Sequence, residues 1–146
     1  MIIREMKLED VASIAQLETI CFSDPWSETS IASELQNRLS YWLVAEIDGN
    51  VAGYVGSQSV LDGADMMNLA VAPEYRRQGI AEALVFALVD HLRQKKIIAL
   101  LLEVRSSNQP AISLYEKLGF VQIGRRPNYY RHPREDALIL RKELVR

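Results

Sequence analysis

The chain has 146 residues, 49% apolar and 25% charged, and a formal net charge of −2. That is enough chain for a real core without metal or disulfide staples, and its balance of charge excludes a general polyanion binder. Its single cysteine, Cys21, cannot form an internal disulfide and fits a reducing compartment. The opening Met1-Ile2-Ile3-Arg4-Glu5 reaches charge too soon for a signal-peptide core, and no apolar stretch approaches the ~20 residues that span a bilayer. The expectation is a cytoplasmic chain folding as one domain over residues 1–146, with neither DNA nor a membrane as partner.

In chain order, Ile2 to Glu5 reads as a short strand. Val11, Ile14, Leu17 and Cys21 then recur at helical spacing, with Glu9 and Asp10 at the positive end of that helix. Ser23-Asp24-Pro25-Trp26-Ser27 breaks it, and a second helix starts at Ser27 with Glu28 and Ser30 in its first turn. Tyr41 to Ile47 and Val51 to Ser59 are strands joined by a tight turn at Asp48-Gly49. Asp62-Gly63 turns the chain again into a strand from Asp65 to Val71, which completes an antiparallel meander.

That strand stops at Pro73, and a basic turn containing Gly79 opens a long amphipathic helix with Ile80, Leu84, Ala87 and Leu88 on one face. The helix ends near Arg93-Gln94-Lys95-Lys96, cations that suit a helix C-terminus. Ile97 to Val104 is almost wholly apolar, the pattern of a strand covered on both faces. Ser106-Ser107-Asn108 offers caps for a fourth helix with Pro110 in its first turn and Ala111, Leu114, Tyr115 and Leu118 as its inner stripe. Gly119 ends it, and Phe120 packs back as the apolar residue of a Schellman-type cap. Strands from Phe120 to Arg126 and from Asp136 to Leu144 flank a polar, aromatic loop. The result is an α/β, three-layer fold: a mixed, mostly antiparallel sheet of about seven strands with four helices. The helix after Gly79 is a right-handed crossover between parallel strands. A ligand is expected where strands diverge near its start.

Three features carry chemistry. The turn before the long helix offers free N–H groups and a positive dipole end, a seat for phosphate, although Gly79 also fits a plain tight turn needing positive φ. Glu103 interrupts an apolar strand near its C-terminal end. Desolvation there favours a general base, and an ion pair with Arg105 on the same face is the competing reading. Tyr115 is either core, as inner aromatics usually are, or a phenol facing the same cleft as Glu103, able to protonate a departing thiolate. Asn108 reads first as a helix cap. His91 and His132 are isolated, so no metal-ligand spacing exists. Arg125, Arg126, Arg131 and Arg134 gather near Tyr129 and Tyr130, in a solvated loop or one contacting a peptide or ribosomal RNA.

The spacing Arg76-x-x-Gly79-x-Ala81 resembles the acetyl-coenzyme A pyrophosphate loop of the GNAT N-acetyltransferases. The likeness runs from the first strand to the last and is most telling over Phe22–Ser27, Asn68–Ala81, Leu102–Phe120 and Arg126–Tyr130. Pro25-Trp26 together with the last two segments makes the chain similar to the RimI-type ribosomal-protein alanine N-acetyltransferases. That resemblance implies acetyl-CoA as co-substrate, no metal, Glu103 as general base and Tyr115 as general acid. It implies that backbone groups of Leu69, Ala70 and Val71 hold the pantetheine arm and acetyl carbonyl. Amides of Arg77, Gln78, Gly79, Ile80, Ala81 and Glu82 would bind the pyrophosphate, with Asn108 near the thiol. The implied acceptor is the α-amine of an N-terminal alanine on a protein, small-subunit ribosomal protein eighteen in the family's best-known case. The first helix–loop–helix and the Arg126 to Tyr130 loop would shape its groove. Ala81 stands where many relatives have a second glycine, an accepted alternative. Rival readings are a small amine or lysine side chain as acceptor, or a non-catalytic acyl-CoA sensor, against which the Glu103–Tyr115 pair counts.

Overall fold

Runs of apolar residues with period two become strands here, and those with period 3.6 become helices. The computed structural model describes residues 1–145. Its elements are β1 (Ile2–Glu5), α1 (Val11–Cys21), α2 (Glu28–Glu34), β2 (Ser40–Ile47), β3 (Asn50–Val60), β4 (Gly63–Val71), α3 (Ile80–Gln94), β5 (Ala99–Arg105), α4 (Gln109–Lys117), β6 (Val121–Arg131) and β7 (Arg134–Glu143). The strands form one sheet in the order β1-β2-β3-β4-β5-β7-β6. Every neighbouring pair is antiparallel except β4 and β5, which α3 connects. The expected α/β architecture of seven strands and four helices is therefore found.

Local chemistry sets the ends of the helices. Ser27 Oγ accepts the N–H of Ser30 at 3.1 Å and caps α2. Beyond α3, Lys96 takes a φ of 62°, while the N–H groups of Lys96 and Ile97 donate to Arg93 and Leu92. This Schellman closure takes Ile97 out of the sheet, so the strand expected from Ile97 to Val104 runs from Ala99 to Arg105 instead.

Helices cover both faces of the sheet. Ile14 and Leu17 of α1 and Ile31 of α2 pack with Trp42, Val44, Tyr54 and Ala70 on one face. Leu84, Leu88 and Leu92 of α3 join Leu100, Leu102, Tyr115, Phe120 and Leu140 in the other core. Burial pushes the phenols of Tyr54 and Tyr115 well above the ordinary range. Unfolded tyrosines ionise near pH 10, whereas these stay neutral in the fold. Their stabilising contribution is therefore complete below about pH 10 and lost as pH rises beyond it. Denaturant midpoints that stay constant from pH 9 to pH 11 would contradict this.

Two departures from expectation matter for function. The segment expected as a polar aromatic loop is strand, since β6 and β7 continue to Arg131 and Arg134 around a turn at His132-Pro133. Between the pairs Arg126↔Ala137 and Tyr130↔Glu135, the residues Pro127, Asn128 and Tyr129 oppose Asp136 alone. Pro127 has no N–H for the ladder, and the bulge accommodates it. The Asp136 carboxylate takes over, accepting from the Asn128 N–H at 2.9 Å and from Arg125 at 2.7 Å.

The second departure is at the middle of the sheet. β4 and β5 pair only where Gly63, Ala64 and Asp65 meet Ala99, Leu100 and Leu101. Past that point no pairing joins Met66–Val71 to Leu102–Arg105, and a gap opens between the facing edges.

Candidate active site

The gap is a cavity of about 750 Å³ whose lining includes Leu69 from β4, Glu103 from β5, and Asn108 and Tyr115 from α4 and its cap. Cys21 to Asp24 and Trp26 line it from the α1–α2 loop, and Tyr129 and Tyr130 line it from the hairpin.

Glu103 reaches the cavity because β5 alternates. Leu100, Leu102 and Val104 face the core under α3, and the odd-numbered residues face the α1–α2 side. The expected ion pair with Arg105 does not form. Glu103 Oε2 lies 3.1 Å from Arg126 Nε instead, and 31% of its side chain remains accessible. The nearby hairpin accounts for the change of partner. It draws Arg105 over the Tyr130 ring, 4.3 Å from the centroid, and into hydrogen bonds with the carbonyls of His132 and Pro133. Arg105 also bonds Ser23 Oγ at 3.2 Å, so it clamps the α1–α2 loop to the hairpin across the cavity mouth. Burial and the neighbouring Glu103 carboxylate push the Tyr130 phenol up to about 12.

Tyr115 belongs to the core and to the cavity at once. It packs in the core with its ring edge-on to Phe120, centroids 5.5 Å apart, yet it also lines the cavity. A Schellman closure holds it: Gly119 takes a φ of 94°, and the Phe120 N–H donates to the Tyr115 carbonyl at 3.0 Å. Asn108 likewise does two things. Its Oδ1 accepts the Ala111 N–H at 3.3 Å as the α4 cap, and it lines the cavity beside Tyr115.

Strand parity sorts the backbone of β4. The Ala72 N–H donates to Ala52 on β3, and residues directly opposite alternate between bonded and non-bonded pairs. Ala70, opposite Tyr54, therefore spends its N–H and C=O on β3, and those of Leu69 and Val71 point to the gap. Ala70 is thereby corrected as a donor to a ligand. Arg76 Nε already donates to the Val71 carbonyl, whereas the Leu69 N–H and C=O stay open on the edge of the gap.

Directly after Arg76, the turn before α3 carries positive φ at Arg77 and Gly79, 65° and 76°. The first hydrogen bond inside the helix runs from Ala83 N–H to the Gly79 carbonyl, so the amides of Ile80, Ala81 and Glu82 have no intrahelical acceptor. A turn of this shape converges N–H groups on an anion. These residues do not line the cavity itself. They stand beyond the end of β4, at the start of α3.

Residues 11–120 match the acetyltransferase (GNAT) family. The chain belongs to that family. This GNAT enzyme is 39% identical over 140 residues to the ribosomal protein bS18-alanine N-acetyltransferase of Escherichia coli (strain K12), covering 94% of each chain. The crystal structure of the ribosomal-protein-S18-alanine N-acetyltransferase from Escherichia coli superimposes with a TM-score of 0.91, 37% identity, and coverage of 99% of this chain and 94% of that one. The NatC complex bound to Gag peptide and CoA is similar at 25% identity and a TM-score of 0.84, over 99% of this chain and 98% of the matched one.

Two residues at or beside the cavity escape a reading of the sequence. Glu18 is fully buried in α1, and Asn68 in β4 donates to it at 2.8 Å while lining the cavity. The available signal was a carboxylate on the inner stripe with Ile14, Leu17 and Cys21. Its three partners are far along the chain or in a loop, so their meeting leaves no local pattern.

The turn gives a direct test of cofactor seating. No neighbouring atom lies within 4 Å of the position a Gly79 Cβ would take, so Gly79→Ala acts through φ. The expected result is a loss of about 1–2 kcal/mol of stability and weaker acetyl-CoA binding, with peptide affinity unchanged. Calorimetric titration of the variant with coenzyme A and peptide separately checks both.

Proposed function

We propose that this GNAT enzyme transfers the acetyl group of acetyl-CoA to the α-amine of an N-terminal alanine, with ribosomal protein bS18 as its acceptor. The observation carrying this reading is that Glu103, Tyr115 and the free Leu69 edge border one cavity at the open end of β4 and β5. The acceptor is supported by the activity named for the Escherichia coli relative, similar over nearly the whole chain.

The residues divide the work. An N-terminal amine with pKa near 7.7–8.0 is mostly protonated at neutral pH, and Glu103 removes its proton, directly or through a water. The acetyl donor supplies an activated carbonyl and a thiolate leaving group. The Leu69 N–H, freed from the sheet by parity, donates to the oxygen of that carbonyl as negative charge develops on it. Tyr115, kept neutral by burial, protonates the departing sulfur. Glu103 reaches the gap from the α1–α2 side, whereas Tyr115 belongs to the α4 side of the sheet. Base and acid therefore flank the thioester, and direct transfer in a ternary complex needs no acyl-enzyme. Amides from Arg77 to Glu82 hold the diphosphate, with Arg77 adding charge and Asn108 close to the thiol.

Incubation with isotopically labelled acetyl-CoA and a mixture of alanine-starting peptides, polyamines and lysine peptides, followed by mass spectrometry, tests the proposal. Label on the α-amine of the alanine peptides supports it. Label confined to polyamines or lysine side chains reassigns the acceptor, and coenzyme binding without transfer to any amine makes the protein a sensor.

A further inference from the structure

Among the described residues the buried Glu18 has no ion-pair partner, yet both its oxygens accept hydrogen bonds. Its Oε1 accepts the Trp26 N–H at 2.9 Å, and its Oε2 accepts from Asn68 Nδ2 at 2.8 Å and from the Tyr54 hydroxyl. A carboxylate only accepts hydrogen bonds, so the Asn68 amide is oriented by its neighbour: Nδ2 faces Glu18 and Oδ1 faces the other way. Asn68 lines the cavity. Its contact with Glu18 puts it on the α1–α2 face of the sheet. Glu103 shares that face, because Arg105, two residues on, reaches Ser23 in the α1–α2 loop. Leu69, with its free N–H, is next in the chain. A carbonyl oxygen, a carboxylate and an amide donor therefore border the same side of the gap.

Resting on the transferase reading above, we propose that Asn68 is a ligand of the acceptor amine, its Oδ1 accepting an N–H from the nucleophilic nitrogen, with Glu18 as the positioning residue that fixes the amide's orientation. A carbonyl oxygen accepts from ammonium and free amine alike, and it does not compete with Glu103 for the proton. Holding one N–H restricts rotation of the amine and directs its lone pair at the thioester carbon. Trp26, tied to the same carboxylate, links this orientation to the loop that closes the cavity.

The chemistry of the clamp supplies its own test. In Glu18→Gln the oxygen is needed by the Trp26 N–H, so the new NH2 faces Asn68 and reverses its amide, turning a donor toward the amine. Adding Asn68→Asp restores an acceptor on both sides. The readout is calorimetric titration of a short alanine-starting peptide into protein saturated with coenzyme A, beside the same peptide with its amine acetylated. Asn68→Ala and Glu18→Gln are each expected to weaken the free-amine peptide about tenfold, with coenzyme affinity unchanged and no gap for the acetylated peptide. The double variant is expected to return to within about threefold of wild type, a recovery that a purely structural Glu18 does not produce. Should Glu18→Gln fail to fold, Asn68→Ala decides alone, since it leaves Glu18 its bonds to Trp26 and Tyr54. Equal peptide affinity in Asn68→Ala and wild type overturns the assignment, as does a double variant no better than the single one. A tenfold gap between Asn68→Ala and a wild type that transfers no acetyl group sinks the functional reading and leaves the Asn68 contact standing.

Discussion

Tyr115→Phe is expected to lower turnover by about 10²-fold or more while acetyl-CoA affinity and thermal stability stay close to wild type. The ring is core, packed against Phe120 and held by the closure at Gly119, so removal of one oxygen preserves its packing. The described residues give its hydroxyl no hydrogen-bond partner, and deletion orphans no other group. What the variant loses is the proton for a leaving sulfur whose pKa is near 8.5 by analogy with cysteine. Steady-state kinetics beside coenzyme A calorimetry separate the outcomes. Turnover equal to wild type removes Tyr115 from the chemistry, and a loss confined to acetyl-CoA affinity makes it a binding residue.

Glu103→Gln is expected to cost about 10²–10³-fold in kcat/KM near pH 7, with the deficit shrinking as pH rises toward 8. The sign follows from the acceptor. Below its pKa of 7.7–8.0 an N-terminal amine is mainly ammonium, and without a base the reaction depends on the free amine, whose fraction grows tenfold per pH unit. The variant's profile should therefore climb with unit slope to about pH 8 and level off, while wild type is flatter. Glutamine keeps an oxygen for Arg126, so the hairpin contact survives the change. Parallel profiles for the two proteins would rule out proton removal by Glu103.

The parts of this site that a sequence displays are those whose causes are local. The turn at Gly79 declares itself because a helix needs a start and only a residue free at positive φ makes this one easily. Gly119 and Phe120 announce the end of α4 for the same reason, and with it the depth at which Tyr115 sits. Glu103 stands out as the charge in an apolar strand. Its partner does not, because Arg126 arrives from a strand separated from β5 in the sheet by β7. The hairpin is hidden in the sequence because Pro127 and Asn128 look like breakers, and the bulge that absorbs them depends on Asp136 across the ladder. Asn68 passed as one more residue of the motif, since its orientation is imposed by a carboxylate 50 positions earlier.

The incomplete union of β4 and β5 gives this sheet four free margins instead of two: β1 and β6 outside, and a pair facing each other within. Exposed strand margins invite pairing with other chains. The inner pair is guarded by shape, because the wedge tapers to closure at Asp65 and Leu101 and admits a foreign strand for only a short length. A slender arm carrying two amides, such as pantetheine, can bond to both sides at once. The same opening that admits the donor thus keeps the molecule from zippering onto its neighbours.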